Sequence, residues 1–277
     1  MRLGGPIFDS FDDPDSWVAA VRAAGYWAAY CPLPPDADEV TIQAFSRAAR
    51  SADLLIAEVG AWSNPISPDE SERQQAIARC KQSLYLADRM GASCCVNIAG
   101  SRSLQWDGPH PDNLSPETFE QIVFTVREII DEVQPTRTCY TLETMPWIFP
   151  DSPDSYLELL HAIDRPAFGV HLDPVNLISS PQRYYHNAAL IHECFEKLGP
   201  HIRSCHAKDI LLQPRLTTHL DEVPPGQGGL NYRVFLQEVA SLPRDVPVML
   251  EHLSTAEEYR RAAAFLRSEA RALGISL

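Results

Sequence analysis

The sequence predicts a single (β/α)8 barrel, and three observations support that fold class. Strand-like and helix-like stretches alternate along the whole chain, as in proteins with parallel sheets. Four short apolar runs end in Glu143, Asp173, His206 and Glu251, and these ends are 30, 33 and 45 residues apart. A βα unit takes about 30 residues or more, so the spacing is typical of successive strands of one barrel. The 277 residues also suit one barrel, which usually takes about 250 residues.

Eight segments have the composition and the flanking turn residues that are typical of strands. They are residues 2–8, 26–31, 54–59, 93–98, 140–146, 168–173, 202–206 and 247–251. The fifth segment holds Glu143 in an otherwise apolar run. A buried carboxylate without a partner costs several kcal/mol, so this side chain needs an ion pair or a metal ion.

Eight further segments, each following one of these strands, have helical periodicity. They are residues 13–24, 37–52, 68–90, 115–133, 154–163, 188–198, 232–242 and 254–273. Asp13 precedes the first helix, Ser115 the fourth, and Gly25 and Gly91 follow the ends of the first and third, which are favoured positions for these residue types. No change in composition marks a linker, so residues 1–277 are expected to form one catalytic domain.

An open doubly wound sheet is the alternative architecture. It would need a glycine-rich phosphate-binding turn after the first strand. Gly4-Gly5-Pro6 does not have that spacing, and the barrel is the better interpretation.

Composition limits the partners and the compartment. The net charge of −14, from 37 acids and 23 bases without a basic run, disfavours nucleic acid and anionic membranes as partners. The seven cysteines include no CxxC pair, which is typical of reduced thiols in a cytoplasm. There is no apolar segment of the length that a signal peptide or a membrane span requires. We expect a cytoplasmic protein with a small-molecule substrate. Composition does not decide whether the protein forms a homo-oligomer.

The four strand ends form a candidate metal site. In barrels of this kind the active site lies at the carboxyl ends of the strands. Two Glu, one Asp and one His together are a donor set for a divalent cation. Singly, each could be a salt-bridged rim carboxylate or a satisfied core histidine. Alternation of side chains along a strand groups His171 with Asp173 and Lys208 with His206, whereas it directs His252 away from Glu251.

Five short motifs stand out at or after the later strands: Leu142-Glu143, His171-Leu-Asp173-Pro-Val-Asn176, Cys205-His-Ala-Lys-Asp209, Pro225-Gly-Gln-Gly228 with Tyr232, and Met249-Leu-Glu251. In these motifs the chain resembles the xylose-isomerase-like barrels of sugar isomerases and epimerases, which include ketose 3-epimerases and inosose dehydratases. The motifs cover the C-terminal half, and the N-terminal half matches in strand and helix rhythm.

The resemblance implies that Glu143, Asp173, His206 and Glu251 hold one divalent ion, with Mn2+ favoured and Mg2+, Co2+ or Zn2+ as alternatives. It also implies that Glu143 and Glu251 act as acid and base on a small-molecule carbohydrate substrate, a keto-sugar or a related polyol. Proton removal beside a carbonyl gives an enediolate, whose charge a divalent ion stabilises as a Lewis acid. Several relatives have His where this chain has Asn176, and Asn can bind a hydroxyl but cannot transfer a proton.

Four further residues are candidates for substrate binding. Asn176 and Lys208 follow the ligand-bearing strands, although Lys208 could equally be the ion-pair partner of Asp209. His219 lies in the long loop of residues 212–231, which we expect to cover the barrel mouth. His171 is interpreted as a ring-stacking or supporting group rather than a fifth ligand.

Aromatic side chains in the loops are the last candidates. Trp62, Trp106 and Trp147 all follow strands, where they could stack on a sugar ring or a flat aglycone. Each of them could equally be ordinary packing. Glu58 and Asn97 end strands three and four, where either could make only a rim hydrogen bond.

Three other functions remain as alternatives. A metal-dependent lyase or dehydratase for a 3-keto-glycoside (a C-glycoside deglycosidase-like reaction) or for an inosose would have the same metal site. An abasic-site endonuclease would need more histidines than the strand ends provide. A non-catalytic sugar-binding protein would not need both Glu143 and Glu251.

Overall fold

A computed structural model describes all 277 residues of the chain. The ten strands are β1 Arg2–Gly4, β2 Ala28–Tyr30, β3 Leu55–Gly60, β4 Cys94–Asn97, β5 Tyr140–Glu143, β6 Phe168–Leu172, β7 Ile202–Ala207, β8 Asp209–Leu212, β9 Leu220–Val223 and β10 Pro247–Leu250. Eight of them, all except β8 and β9, close into a parallel barrel in which neighbours along the chain are neighbours in the sheet. The predicted (β/α)8 barrel is confirmed.

Helices surround this barrel. They are α1 Pro14–Ala23, α2 Glu39–Ser51, α3 Glu70–Met90, α4 Pro116–Val133, α5 Pro153–Ile163, α6 Pro181–Tyr185, α7 Asn187–Leu198, α8 Tyr232–Ser241 and α9 Ala256–Ala272. The side chains of Asp13, Ser115 and Thr255 accept hydrogen bonds from backbone N–H groups in the first turns of α1, α4 and α9. These N–H groups have no partner inside the helix, so the caps determine where each helix begins.

Tyr156 of α5 joins two of the strands that deliver candidate ligands. Its buried hydroxyl donates to the carbonyl oxygen of Leu142 at 2.6 Å and accepts from the backbone N–H of His171 at 3.2 Å. The ring packs in the core beside Phe168. This contact fixes the relative positions of β5 and β6, whose ends carry Glu143 and Asp173.

The segment predicted as one long irregular loop after Leu212 differs in the structure. It contains an antiparallel hairpin, in which β8 pairs with β9 from Asp209 opposite Val223 to Leu212 opposite Leu220. The Asp209 carboxylate accepts hydrogen bonds from the backbone N–H groups of Gly226 and Gly228 at 2.9 and 3.0 Å. A Cβ on Gly228 would lie 2.4 Å from Asp209 Oδ1, so this close contact requires glycine. Asp209 therefore anchors the segment that follows the hairpin.

The structure also describes the state of the cysteines and the character of the helices, on which composition had given expectations. All seven cysteines are free thiols, and six of them are buried. None of the helices combines the length and the hydrophobicity that a membrane crossing requires.

Candidate active site

The four side chains predicted as ligands converge at the carboxyl ends of their strands. Glu143 ends β5, Asp173 follows β6, His206 lies in β7 and Glu251 follows β10. One ligand atom from each lies within 4.8 Å of the others. His206 Nδ1 is 2.7 Å from Glu251 Oε1, 3.2 Å from Glu143 Oε1 and 4.0 Å from Asp173 Oδ2. The barrel thus brings three carboxylates around one imidazole nitrogen.

Lys208 faces the same cluster. Its Nζ is 2.5 Å from Glu251 Oε1, 2.8 Å from Asp173 Oδ2 and 3.6 Å from Glu143 Oε1. The side chain is almost completely buried. Of the two roles that the sequence left open, the structure excludes an ion pair with Asp209, because backbone N–H groups occupy that carboxylate.

Burial and crowding of charges raise the pKa values of both Asp173 and His206. Burial, with repulsion from Glu143 and Glu251, raises the pKa of Asp173 to about 6, although Lys208 opposes the shift. Burial alone would lower the pKa of His206, but the surrounding carboxylates raise it well above its ordinary value. At His206 the carboxylates outweigh burial, which shows how strongly they surround the imidazole, whereas the rise at Asp173 is caused mainly by burial.

The residues fit a divalent cation. Asp173 Oδ2 and Glu251 Oε1 are buried and make no hydrogen bond, and they share one ammonium, Lys208 Nζ, at 2.8 and 2.5 Å. Buried carboxylates are costly unless cations neutralise them, and one ammonium and one imidazole do not balance Glu143, Asp173, Glu251 and the buried Glu58. Three carboxylates with one imidazole are also a donor set for Mg2+- and Mn2+-type ions.

Glu58 completes the site from β3, and the structure shows more than the rim hydrogen bond that the sequence left open for it. Its carboxylate is 1% exposed, with Oε2 3.3 Å from His206 Nε2 and Oε1 2.9 Å from His171 Nε2. The Ser204 hydroxyl donates to the same carboxylate. Burial would raise the pKa of Glu58, but the two histidines outweigh burial and hold its pKa far below its ordinary range. Glu58 therefore fixes the imidazole of His206 so that Nδ1 faces the other carboxylates.

We expect Glu58→Gln to weaken binding of a divalent ion by roughly 10- to 100-fold, the usual effect of losing a carboxylate that orients a ligating histidine. The measurement is a competition titration of the purified protein with a metal-sensitive chelator. Glu196→Gln, at an exposed position of α7, is the control that removes the same charge. Equal metal affinities for parent and Glu58→Gln would show that Glu58 does not support the site.

Two predicted substrate contacts lie elsewhere in the structure. His171 is 0% exposed, and its ring packs edge-on against His206 with centroids 4.1 Å apart. Its position below the carboxylates leaves it no contact with the mouth cavity. His219 precedes β9 in the hairpin and does not line the cavity either.

His252 does line the cavity, contrary to the prediction from alternation. β10 ends at Leu250, so Glu251 and His252 are outside the strand, and His252 has a left-handed φ of 57°. Strand alternation therefore does not apply to this pair. His252 Nδ1 is 3.2 Å from Glu222 Oε1 of the hairpin.

A cavity of about 600 Å³ opens above the four convergent side chains. Glu143, Lys208 and Glu251 lie in its walls, together with Asn176, which donates to Glu143 Oε1 at 3.2 Å and to the Thr144 carbonyl at 3.0 Å. The tryptophans noted in the sequence also line it: Trp62, Trp106 and Trp147. The mouth therefore combines carboxylates and an ammonium with flat aromatic surfaces, as sites for small polar ligands do.

Solved structures with this fold cover almost the whole chain. D-psicose 3-epimerase from Clostridium cellulolyticum H10 is 15% identical, with a TM-score of 0.67 and 97% of this chain and 99% of that chain covered. AsbF from Bacillus anthracis, a probable 3-DHS dehydratase, is 19% identical, with a TM-score of 0.68 and 100% of both chains covered. A xylose isomerase-like TIM barrel protein from Mycobacterium smegmatis, in complex with magnesium, is 17% identical, with a TM-score of 0.65 and 96% of each chain covered. At these identities the likeness shows the fold.

Sequence comparisons match the chain to a family but to no individual curated protein. No curated protein matches the chain significantly. The model of one family, described as xylose isomerase-like TIM barrel, matches residues 18–269. This match spans most of the 277 residues, and the chain therefore belongs to the xylose isomerase-like TIM barrel family.

Proposed function

We propose that this protein is a divalent-metal-dependent sugar isomerase or epimerase, which moves a proton beside the carbonyl of a keto-sugar or related polyol. The observation that carries the proposal is the placement of Glu143 and Glu251 on different strands at the floor of the mouth cavity, in one cluster with Asp173 and His206. The similar fold of D-psicose 3-epimerase, a structure determined with D-tagatose, adds support.

Each residue has a role that follows from its position. Glu143 and Glu251 are the candidate acid and base, because both reach the cavity and carboxylates can take and return a proton. The Lys208 ammonium stabilises negative charge that develops on a substrate oxygen. Asn176 can donate to a substrate hydroxyl and holds Glu143 in place.

A bound divalent ion would be held by Glu143, Asp173, His206 and Glu251, and would supply Lewis-acid stabilisation of charge on the substrate oxygens. Mn2+ is the favoured ion because the donor set is mostly oxygen with one nitrogen. The magnesium in the structure of the Mycobacterium smegmatis relative supports a hard divalent cation.

A lyase or dehydratase acting on a 3-keto-glycoside is the second candidate, and a specific feature favours it. A cleft of about 830 Å³ adjoins the mouth cavity, and the two share Trp62 and Trp106 as a common wall. Gln75, Arg79 and Gln82 of α3 line the far side of this cleft. Their amides and guanidinium could bind the part of a glycoside that leaves, while its sugar ring occupies the mouth.

The test is turnover of ketoses, inososes and 3-keto-glycosides in D2O, with and without added Mn2+. An isomerase or epimerase will place deuterium on the carbon beside the carbonyl and return a sugar of equal mass apart from the label. A lyase or dehydratase will release a second product instead. The proposal fails if the metal-loaded protein exchanges no carbon-bound proton and releases nothing from any of the three substrate classes.

A further inference from the structure

A separate cavity of about 430 Å³ lies at the opposite end of the barrel from the mouth. Its walls are residues that come before or at the start of strands, including Ser93 before β4, Thr138 before β5, Arg203 in β7 and Arg244 before β10. It shares no residue with the mouth cavity. A ligand bound here would not contact the proposed catalytic residues.

Three arginines, Arg137, Arg203 and Arg244, line this cavity without forming an ion pair with any carboxylate. Arg203 Nη1 and Arg244 Nη2 both donate to the carbonyl oxygen of Pro200, at 3.3 and 3.4 Å. Arg137 donates only to backbone carbonyl oxygens. Arg203 Nε also donates to Cys139 Sγ at 3.1 Å. Each guanidinium has five N–H donors, so the remaining donors of Arg203 and Arg244 are available to a ligand.

The one carboxylate in the walls does not neutralise these arginines. Asp245 is 3.1 Å from the terminal amine of Met1 and 2.5 Å from Arg2 Nε, and both its oxygens are engaged by these groups. The protein as a whole carries a net charge of −14. The three guanidinium groups therefore form a local positive cluster on an acidic protein.

A buried hydroxyl gives independent support. Thr138 lines the cavity and is 6% exposed, and its Oγ1 has no hydrogen-bond partner. A buried hydroxyl without a partner is destabilising unless a ligand or a water supplies one. Thr138 is thus a wall residue with an unused hydroxyl, near the three guanidinium groups.

The local field is positive enough to affect neighbouring groups. Burial lowers the pKa of Arg244, and the charge of Arg203 lowers it further. Burial lowers the pKa of His201, and Arg203 and Arg244 add to that shift. A bound anion would relieve the repulsion between the arginines.

We propose that this cavity binds a small oxyanion, namely a phosphate group, either free or as the ester of a small metabolite. Guanidinium groups match phosphate oxygens with paired, charge-assisted hydrogen bonds, and the Thr138 hydroxyl supplies a further donor. The site is independent of the proposed function, because it lies at the other end of the barrel.

Binding is tested by calorimetry on the full chain, with inorganic phosphate and glycerol 3-phosphate as probes at constant ionic strength. We expect saturable binding of phosphate, weakened by at least about tenfold in Arg203→Gln and in Arg244→Gln, since each change removes charge-assisted hydrogen bonds. Arg47→Gln removes the same charge from an exposed position of α2 and should bind phosphate like the parent. Tighter binding of glycerol 3-phosphate would identify an ester as the ligand, and equal binding would identify the phosphate group alone.

Thr138→Val tests the site with a change that preserves shape. We expect it to weaken phosphate binding while the thermal unfolding midpoint, measured without phosphate, stays at or above that of the parent, because an unpartnered hydroxyl is removed. The proposal is overturned if the parent binds neither probe at millimolar concentrations. It is also overturned if Arg203→Gln, Arg244→Gln and Thr138→Val all bind phosphate as tightly as Arg47→Gln does.

Discussion

Removal of the divalent ion is expected to abolish turnover and to lower the stability of the folded protein. Without the ion, only Lys208 and His206 face the buried carboxylates of Glu143, Asp173 and Glu251. An ion that binds only the folded state adds stability by mass action, about 2.7 kcal/mol at a free ion concentration 100-fold above Kd. We expect elemental analysis to find about one ion per chain, as one cluster of this size can hold. Thermal unfolding with and without Mn2+ measures the change in stability.

The ligand assignment is tested with two histidine variants. His206→Ala should lose both the ion and the rise in unfolding midpoint on adding Mn2+, since the imidazole lies at the centre of the carboxylates. His219→Ala is the matched control, because this histidine lies in the hairpin away from the cavity. The site is misassigned if the parent protein carries no ion after exposure to saturating Mn2+. It is also misassigned if His206→Ala and His219→Ala bind Mn2+ with equal affinity.

The convergence of Glu143, Asp173, His206 and Glu251 could be predicted because a local rule determines it. Each is at or just beyond the carboxyl end of an apolar run, and parallel strands bring those ends to one face of a barrel. The strand ends meet at this face whatever the length or the structure of the segments that connect the strands. Side-chain alternation along β7, continued one residue past its end, placed Lys208 on the face of His206.

The sequence could not rank Glu58, because its importance depends on contacts across the barrel. Glu58 reaches His171 and His206 from β3, which is not adjacent to β6 or β7 in the sheet. No spacing along the chain reports a contact across a barrel interior. The signal present in the sequence was a carboxylate inside an apolar strand, which always needs a partner.

The positions of His219 and His252 differ from the sequence-based expectation for another reason. Both lie outside regular barrel strands, where alternation no longer determines the direction of a side chain. His252 has a left-handed backbone conformation just past β10, which turns it to the cavity. His219 is held in a hairpin that pairs Asp209–Leu212 with Leu220–Val223, a pairing that proline and glycine content alone did not reveal.

Glu143→Gln and Glu251→Gln are each expected to reduce kcat by a factor on the order of 10² to 10⁴, the usual range for a lost acid or base. Glutamine preserves the size of each side chain but cannot take a proton. In D2O, the rate at which deuterium enters the carbon beside the carbonyl should fall with kcat in both variants. Parallel losses would support proton transfer by the pair at the floor of the cavity.

Metal content decides how these losses are interpreted, because both glutamates are also proposed ligands. Each variant is therefore compared with the parent at saturating Mn2+, with the bound ion measured in the same sample. Glu222 lines the cavity from the hairpin but does not belong to the cluster. The Glu222→Gln variant therefore controls for loss of charge at the mouth and should retain most of the activity.

If metal-replete Glu251→Gln keeps full activity, proton transfer belongs to another group. Lys208, 2.5 Å from Glu251 Oε1, is then the next candidate, and a lyase becomes the better description of the reaction.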